Sequence, residues 1–314
     1  MISSHGRVLV TGATGLVGGH LVRSLHGLGV PVRAVFREAP AEPAPYESAV
    51  VGDMAVFHDW PRVLRDVTAV VHTAGRAHVP ARVQEFERDR FHLTNVAATL
   101  SLAKAAAAEG VKHFIFLSSI AVNGSNGSGR APFSERDEPS PKTVYGSSKA
   151  EAEKQLEMLA AMTPMAITAI RPPMIYGWPW RGSFDTLVRA IQRGVPLPLA
   201  SIKNKRAFVS VDNVVSFVRH RLESDAGGFD AFIVADDEQV STPEFIRRVG
   251  KAMAKGPRVV ACPPAIVSAA AQLAGRGDLT DSLFGSLQVD TSKSKSTGWC
   301  PELTMDEGLA RALR

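Results

Sequence analysis

Residues 7–18 combine a short apolar strand, a glycine-rich turn and the start of a helix, and few folds accept that combination. Arg7-Val8-Leu9-Val10 shows no polar alternation. Such a strand must be covered on both faces, as strands of a parallel sheet are. Thr11-Gly12-Ala13-Thr14-Gly15-Leu16-Val17-Gly18 follows without a spacer. Gly12 permits the tight turn, Gly15 lets the backbone approach a pyrophosphate, and Gly18 allows helix and strand to pack closely. The helix start then offers unpaired amides and a partial positive charge to an anion. The rhythm continues with strands expected at 32–36, 49–52, 69–72, 114–117 and 166–170, and helices at 17–28, 95–108 and 145–161. Alternation of this kind predicts an α/β fold, a doubly wound parallel sheet with helices on both faces.

After residue 172 proline and glycine become frequent and the rhythm breaks. Strands are expected at 208–211 and 232–235, helices at 213–222 and 242–253, and a buried helix start within 259–274. The reading is a dinucleotide-binding domain over 1–172, to which segments of about 207–236 return, and a smaller substrate-binding lobe over 173–314. Ligands of such sheets lie at the carboxyl ends of the strands, so the substrate is expected between sheet and lobe.

Composition excludes several classes. No apolar run approaches the ~18 residues of a membrane-spanning helix. The polar start at residues 1–7 lacks the apolar segment of a secretion signal, so a cytoplasmic protein is expected. Cys262 and Cys300 have no neighbours at metal-ligand spacing, which leaves two free thiols and no metal site. The net charge of +5 is scattered rather than clustered, so no nucleic-acid partner is expected.

Tyr145-Gly146-Ser147-Ser148-Lys149 places a phenol and an ammonium four residues apart, on one face of a helix. A phenol titrates near pH ~10, and a neighbouring cation favours its ionised form, which suits proton transfer. Phe114-Ile115-Phe116-Leu117 ends in Ser118 and Ser119, at the strand end where ligands sit. A hydroxyl there can hydrogen-bond the oxygen that Tyr145 protonates or deprotonates. Ser118 is expected to bond backbone, and His72 to be structural.

With these motifs the chain resembles the extended short-chain dehydrogenase/reductase superfamily, in its NAD-dependent epimerase/dehydratase branch with a Rossmann-type fold. The resemblance covers essentially the whole chain and includes His72-Thr73-Ala74-Gly75, Arg171-Pro172-Pro173-Met174-Ile175-Tyr176-Gly177 and Gly298-Trp299-Cys300-Pro301. It implies Ser119, Tyr145 and Lys149 as the catalytic set, Ser119 being five residues before Gly124. It implies cofactor contacts from Gly12, Thr14, Gly15, Leu16, Val17 and Gly18 in the loop. Asp53, Met54, Thr73, Ala74, Gly75, Asn95, Leu117 and Pro172 follow further along, with Tyr145 and Lys149 again. The acid that NAD-preferring members carry at the end of strand two is Phe36 here, followed by Arg37, which favours NADP(H) over NAD. Substrate contacts implied are Ser119, Met174, Ser183, Arg206 and Arg276, with Arg206 gripping the diphosphate of a UDP-sugar. Met174 and Ser183 stand where the family has asparagines. The resemblance extends to enzymes acting at C4 of UDP-2-acetamido sugars, with reduction of a UDP-4-keto-6-deoxy-HexNAc expected ahead of 4-epimerisation. Two rivals share the loop, a steroid- or flavonol-type ketone reductase and a non-catalytic dinucleotide sensor. A homodimer is expected, joined through the 95–108 and 145–161 helices.

Overall fold

The computed structural model describes residues 6–313 other than 78, 80, 225–226 and 274–282. The chain divides into two compact units. The first comprises Met1–Val122, Pro141–Arg171 and Val214–Phe232; the second comprises Asn123–Ser140, Pro172–Asn213 and Ile233–Arg314.

In chain order the elements up to residue 171 are β1 (Arg7–Thr11), α1 (Leu16–Gly27), β2 (Val32–Phe36), β3 (Glu47–Val50), α2 (Trp60–Leu64), β4 (Val67–His72), α3 (Ala81–Gln84), α4 (Arg88–His92), a π turn (Leu93–Ala97), α5 (Ala98–Ala108), β5 (His113–Leu117), α6 (Val144–Met162) and β6 (Ala166–Arg171). Then come β7 (Met174–Tyr176), α7 (Gly182–Gln192), β8 (Arg206–Ser210), α8 (Val211–Leu222), β9 (Phe229–Ile233), β10 (Gln239–Val240), α9 (Thr242–Ala252), α10 (Pro264–Leu273), α11 (Ser292–Ser296) and α12 (Met305–Ala312).

Seven strands form one sheet in the order β3-β2-β1-β4-β5-β6-β9. The ladders from β3 through to β6 are all parallel. Strand order reverses between β1 and β4, which opens the sheet at the carboxyl ends carrying Thr11 and His72. Val8, Leu9 and Val10 are at most 1% exposed, so β1 is covered on both faces as its unbroken apolar run requires. Leu102 and Ala106 of α5, with Ala152 and Leu156 of α6, are fully buried in the core that includes Phe114 and Phe116 of β5. Burying each large side chain contributes about 1.5–3 kcal/mol. That packing fixes α6, and with it the face carrying Tyr145 and Lys149.

Several elements differ from expectation. β3 begins at Glu47 rather than 49, because this edge strand is largely exposed and is held by charge: Glu47 pairs with Arg7 and Arg33. β8 belongs to a separate three-stranded sheet, β10-β8-β7, in the second unit, whereas 214–232 lie in the first. The helix within 259–274 is not buried: in α10 Ile266 is 59% exposed. Its nearly uniform apolar composition gives periodicity no polar face to read, and only packing decides its exposure.

Candidate active site

The glycine-rich loop is built as its spacing demands. Gly12 sits at φ 70°, a backbone conformation that L side chains rarely adopt. A Cβ on Gly18 would lie 2.2 Å from the Gly12 carbonyl oxygen, so only glycine lets α1 start this close to β1. Gly15 donates its amide to the Gly12 carbonyl at 2.8 Å and caps α1 without any side-chain cap bond. The first-turn amides of α1 therefore lack a side-chain acceptor, which suits an anionic ligand. Thr14 and Gly15 are exposed at the turn, Leu16 is half-buried, and Val17 and Gly18 pack inward.

Behind the loop a hydrogen-bond chain knits β1 to β4. Thr99 Oγ1 donates to the Asn95 carbonyl at 2.8 Å, so His72 Nε2–H donates to Thr99 Oγ1 at 2.9 Å. His72 Nδ1 then accepts from Thr11 Oγ1 at 2.7 Å, and Thr11 Oγ1 accepts the Ala74 amide at 3.2 Å. This tautomer needs a neutral ring, and burial, with the charge of Lys149, lowers the His72 pKa to about 3. His72 is thus structural. Thr73 Oγ1 donates to the Thr11 carbonyl at 2.7 Å. Thr11, which sequence reasoning passed over, is the hub of this strand-end brace.

Asn95 is fully buried in the π turn. Its Nδ2 donates to the Arg76 carbonyl at 3.0 Å and to Ser148 Oγ at 2.9 Å, while Oδ1 accepts the Arg76 amide at 2.7 Å. Both amide hydrogens are committed inside the protein, and they tie the strand-four loop to α6. A Cβ on the exposed Gly75 would come within 3.3 Å of Lys149 Nζ and 3.2 Å of Asn95 Oδ1. The loop here leaves Lys149 open to close approach.

Ser119, Tyr145 and Lys149 converge at the carboxyl end of β5. Tyr145 is hydrogen-bonded by Ser119, which favours the phenolate, while burial opposes it more strongly and raises the phenol pKa. Phe91 packs on the Tyr145 ring with centroids 6.4 Å apart, and the Tyr145 amide reaches Gln84 Oε1 at 3.4 Å. Lys149 Nζ donates to the Leu117 carbonyl at 2.8 Å and lies 4.4 Å from the Phe116 ring centroid. Burial lowers the Lys149 pKa to about 8, and Glu153 opposes that shift. The ammonium is therefore poised to titrate just above neutrality.

Ser118 corrects the sequence reading. Its hydroxyl donates to the Glu153 carboxylate rather than to backbone, and Arg171 closes on the same carboxylate. Glu153 was missed, yet its spacing was readable: Tyr145, Lys149 and Glu153 step by four along one helix face.

Asp53 is exposed and accepts the Ala55 amide at 3.0 Å, and Met54 packs half-buried against the core. Arg33 is spent on Glu47 at 2.8 Å and on the Val63 and Arg65 carbonyls at 2.5 and 2.9 Å. Arg37 stands exposed beyond β2.

In the second unit Arg206 opens β8, largely covered, and donates to the Gly285 carbonyl at 2.8 Å. Burial lowers its pKa to about 10, and it has no carboxylate partner among the described residues. A sequestered guanidinium without a carboxylate partner suits an anionic ligand. Met174 of β7 packs half-buried on the second core, and Ser183 is exposed in the first turn of α7. Pro172 is buried directly after β6. Arg276 lies outside the described residues. Cys262 and Cys300 are free. Among the described residues no cluster of His, Cys, Asp or Glu could hold a metal, and no helix is long and apolar enough to cross a membrane.

A glycine-rich loop at the sheet's switch point, with a Ser-Tyr-Lys group at the carboxyl end of β5, defines the class. The model of the NAD dependent epimerase/dehydratase family matches residues 8–235, and the chain is an enzyme of that family. It is 37% identical to the UDP-glucose 4-epimerase of Vibrio cholerae over 306 residues, 96% of this chain and 92% of that one. Among solved structures, MoeE5 in complex with UDP-glucuronic acid and NAD superposes with a TM-score of 0.80 at 25% identity, covering 98% of both chains. The UDP-glucose 4-epimerase of Thermus thermophilus in complex with NAD shares the fold, with a TM-score of 0.79 at 23% identity over 98% of this chain and 97% of that one.

Proposed function

We propose that this enzyme moves hydride and proton at C4 of a UDP-sugar, with 4-epimerisation of a UDP-2-acetamido hexose as the net reaction. The observation that carries the reading is the hydrogen-bonded Ser119–Tyr145 pair set one helical turn from a buried Lys149. The 37% identity to a UDP-glucose 4-epimerase supports epimerisation.

The fit to a dinucleotide rests on the uncapped start of α1 and on the approach left by Gly12, Gly15 and Gly75. NAD is the cofactor proposed, and when bound it supplies the hydride acceptor and donor. The loop residues 12–18 hold its pyrophosphate, Asp53 and Met54 flank the adenine, and Thr73 to Gly75, Asn95, Leu117 and Pro172 line its remaining length. Tyr145 takes the proton of the C4 hydroxyl and returns it to the C4 oxygen. Ser119 hydrogen-bonds that oxygen throughout, offsetting charge as it develops. Lys149 holds the nicotinamide ribose and sets the charge beside the phenol. Arg206 grips the diphosphate, with Met174 and Ser183 on the sugar side.

A second reading, reduction of a UDP-4-keto-6-deoxy-HexNAc with NADPH, is favoured by one observation. β2 ends without a carboxylate at Phe36, and exposed Arg37 suits a 2′-phosphate. The deciding experiment incubates the purified enzyme with UDP-GlcNAc, and separately with the 4-keto-6-deoxy sugar and NADPH, and identifies products by NMR. Isomerised sugar without net NADPH loss is expected; stoichiometric NADPH consumption overturns epimerisation. In parallel, Arg37→Ala should weaken NADPH about tenfold more than NADH if Arg37 reads the phosphate. We also propose a homodimer through α5 and α6, supported by Met158 and Met162, which are 53% and 83% exposed on α6.

A further inference from the structure

Three elements that carry or flank the candidate catalytic groups meet on one buried carboxylate. Glu153 lies two turns beyond Tyr145 and one beyond Lys149 on α6. Its Oε1 accepts from Ser118 Oγ, the neighbour of Ser119 at the end of β5. Arg171, the last residue of β6, donates Nε to Oε1 at 3.0 Å and Nη2 to Oε2 at 2.5 Å. Ser118, Glu153 and Arg171 are 3%, 4% and 5% exposed. A buried pair of this kind is no evidence of stability, because desolvating two charges costs as much as their attraction returns. Its value lies in geometry.

We propose that Glu153 is a positioning residue: held by Arg171, it fixes Ser118 and so aims Ser119 at Tyr145, and it sets a carboxylate one helical turn from Lys149. The inference rests on the reading of Tyr145 and Lys149 as the proton-transfer pair. The groups facing Lys149 are His72 of β4, the Leu117 carbonyl and Phe116 ring of β5, Asn95 of the π turn, and Glu153 on α6. His72 is held neutral and Arg171 is positive, which leaves Glu153 as the negative group among them. Burial lowers the Lys149 pKa and Glu153 works against that fall, leaving it at about 8.

The test compares Ser118→Ala, Glu153→Gln and the neutral pair Glu153→Gln/Arg171→Met, with Tyr145→Phe alongside. The double variant is included because Glu153→Gln alone strands a buried Arg171. Turnover is followed on the UDP-sugar identified above, with melting temperature as the stability measure. Ser118→Ala and the double variant are expected to lose at least about tenfold in kcat with KM within about twofold, as misplaced groups do. Glu153→Gln, where it folds, is expected to move the alkaline limb of kcat to lower pH by about one unit, because Lys149 gives up its proton sooner. Wild-type kcat in both Ser118→Ala and the double variant overturns the proposal, even if melting temperatures fall. So does a folded Glu153→Gln whose alkaline limb is unmoved. Activity surviving in Tyr145→Phe sinks the proton-transfer reading instead, so the two failures are distinguishable.

Discussion

The first unit's strand-end site and the second unit's candidate substrate residues hold their polar groups in opposite ways. Around β1, β4 and β5, the buried polar groups Thr11, His72, Asn95, Ser118 and Lys149 spend hydrogen bonds on neighbouring side chains or on backbone. In the second unit Arg206 is sequestered with a single carbonyl partner among the described residues, and Ser183 is exposed. A closed network is rigid and fixes where a reacting atom must sit. On the proposed reading the Arg206 guanidinium is completed by its ligand, so substitutions in that unit adjust specificity at low structural cost.

This contrast orders the experiments. Tyr145→Phe should lower kcat by about 10³-fold, within the range for lost general acid–base catalysis, while NAD still protects against thermal unfolding. Loss of NAD binding with loss of turnover would mean that the network holds cofactor rather than chemistry. Arg206→Ala should raise KM for the UDP-sugar by about 10–100-fold with NAD affinity unchanged, as for a lost hydrogen bond to a charged group. An unchanged KM would place the diphosphate elsewhere.

Acid should weaken the network itself. His72 has a folded pKa of about 3 against 6.5 for the unfolded chain, so the unfolded chain takes up the proton first. The stability contribution is whole above pH 6.5 and is lost as the pH falls toward about 3. At pH 5 the loss is about 2 kcal/mol for this residue. His113, lowered to about 4 by burial and by Arg221 and bonded to Thr168, acts in the same direction. Urea midpoints measured at pH 7.5 and 5 should therefore fall with acid, and a constant midpoint would break the tautomer assignment of His72. The smallest effect belongs to exposed Ser183. Ser183→Ala should alter kcat/KM on UDP-GlcNAc by less than about threefold, and Ser183→Asn should sharpen or relax sugar preference within about tenfold.

Much of the first unit was legible in the sequence because burial on both faces leaves an unbroken apolar run and a parallel sheet needs a helix between strands. The TGxxGxxG spacing was legible for a steric reason: no Cβ fits between Gly18 and the Gly12 carbonyl. Elsewhere the sequence signal failed. β3 is an exposed edge, held by Glu47 and its arginines rather than by a hydrophobic pattern. α10 is apolar along its length and its exposure depends on what packs beside it. Glu153 reads as one more helix-surface acid until β5 and β6 bring Ser118 and Arg171 onto it.

By itself, then, the sequence determined the parallel sheet, the phosphate loop and the face of α6 that carries Tyr145 and Lys149, because local sterics and helical periodicity act over a few residues. Only the tertiary structure decided that Ser118 meets the Glu153 carboxylate and which tautomer His72 holds. Those outcomes depend on partners 27 to 61 residues apart, such as Thr99 and Thr11 on His72, and on the desolvation that long-range packing imposes.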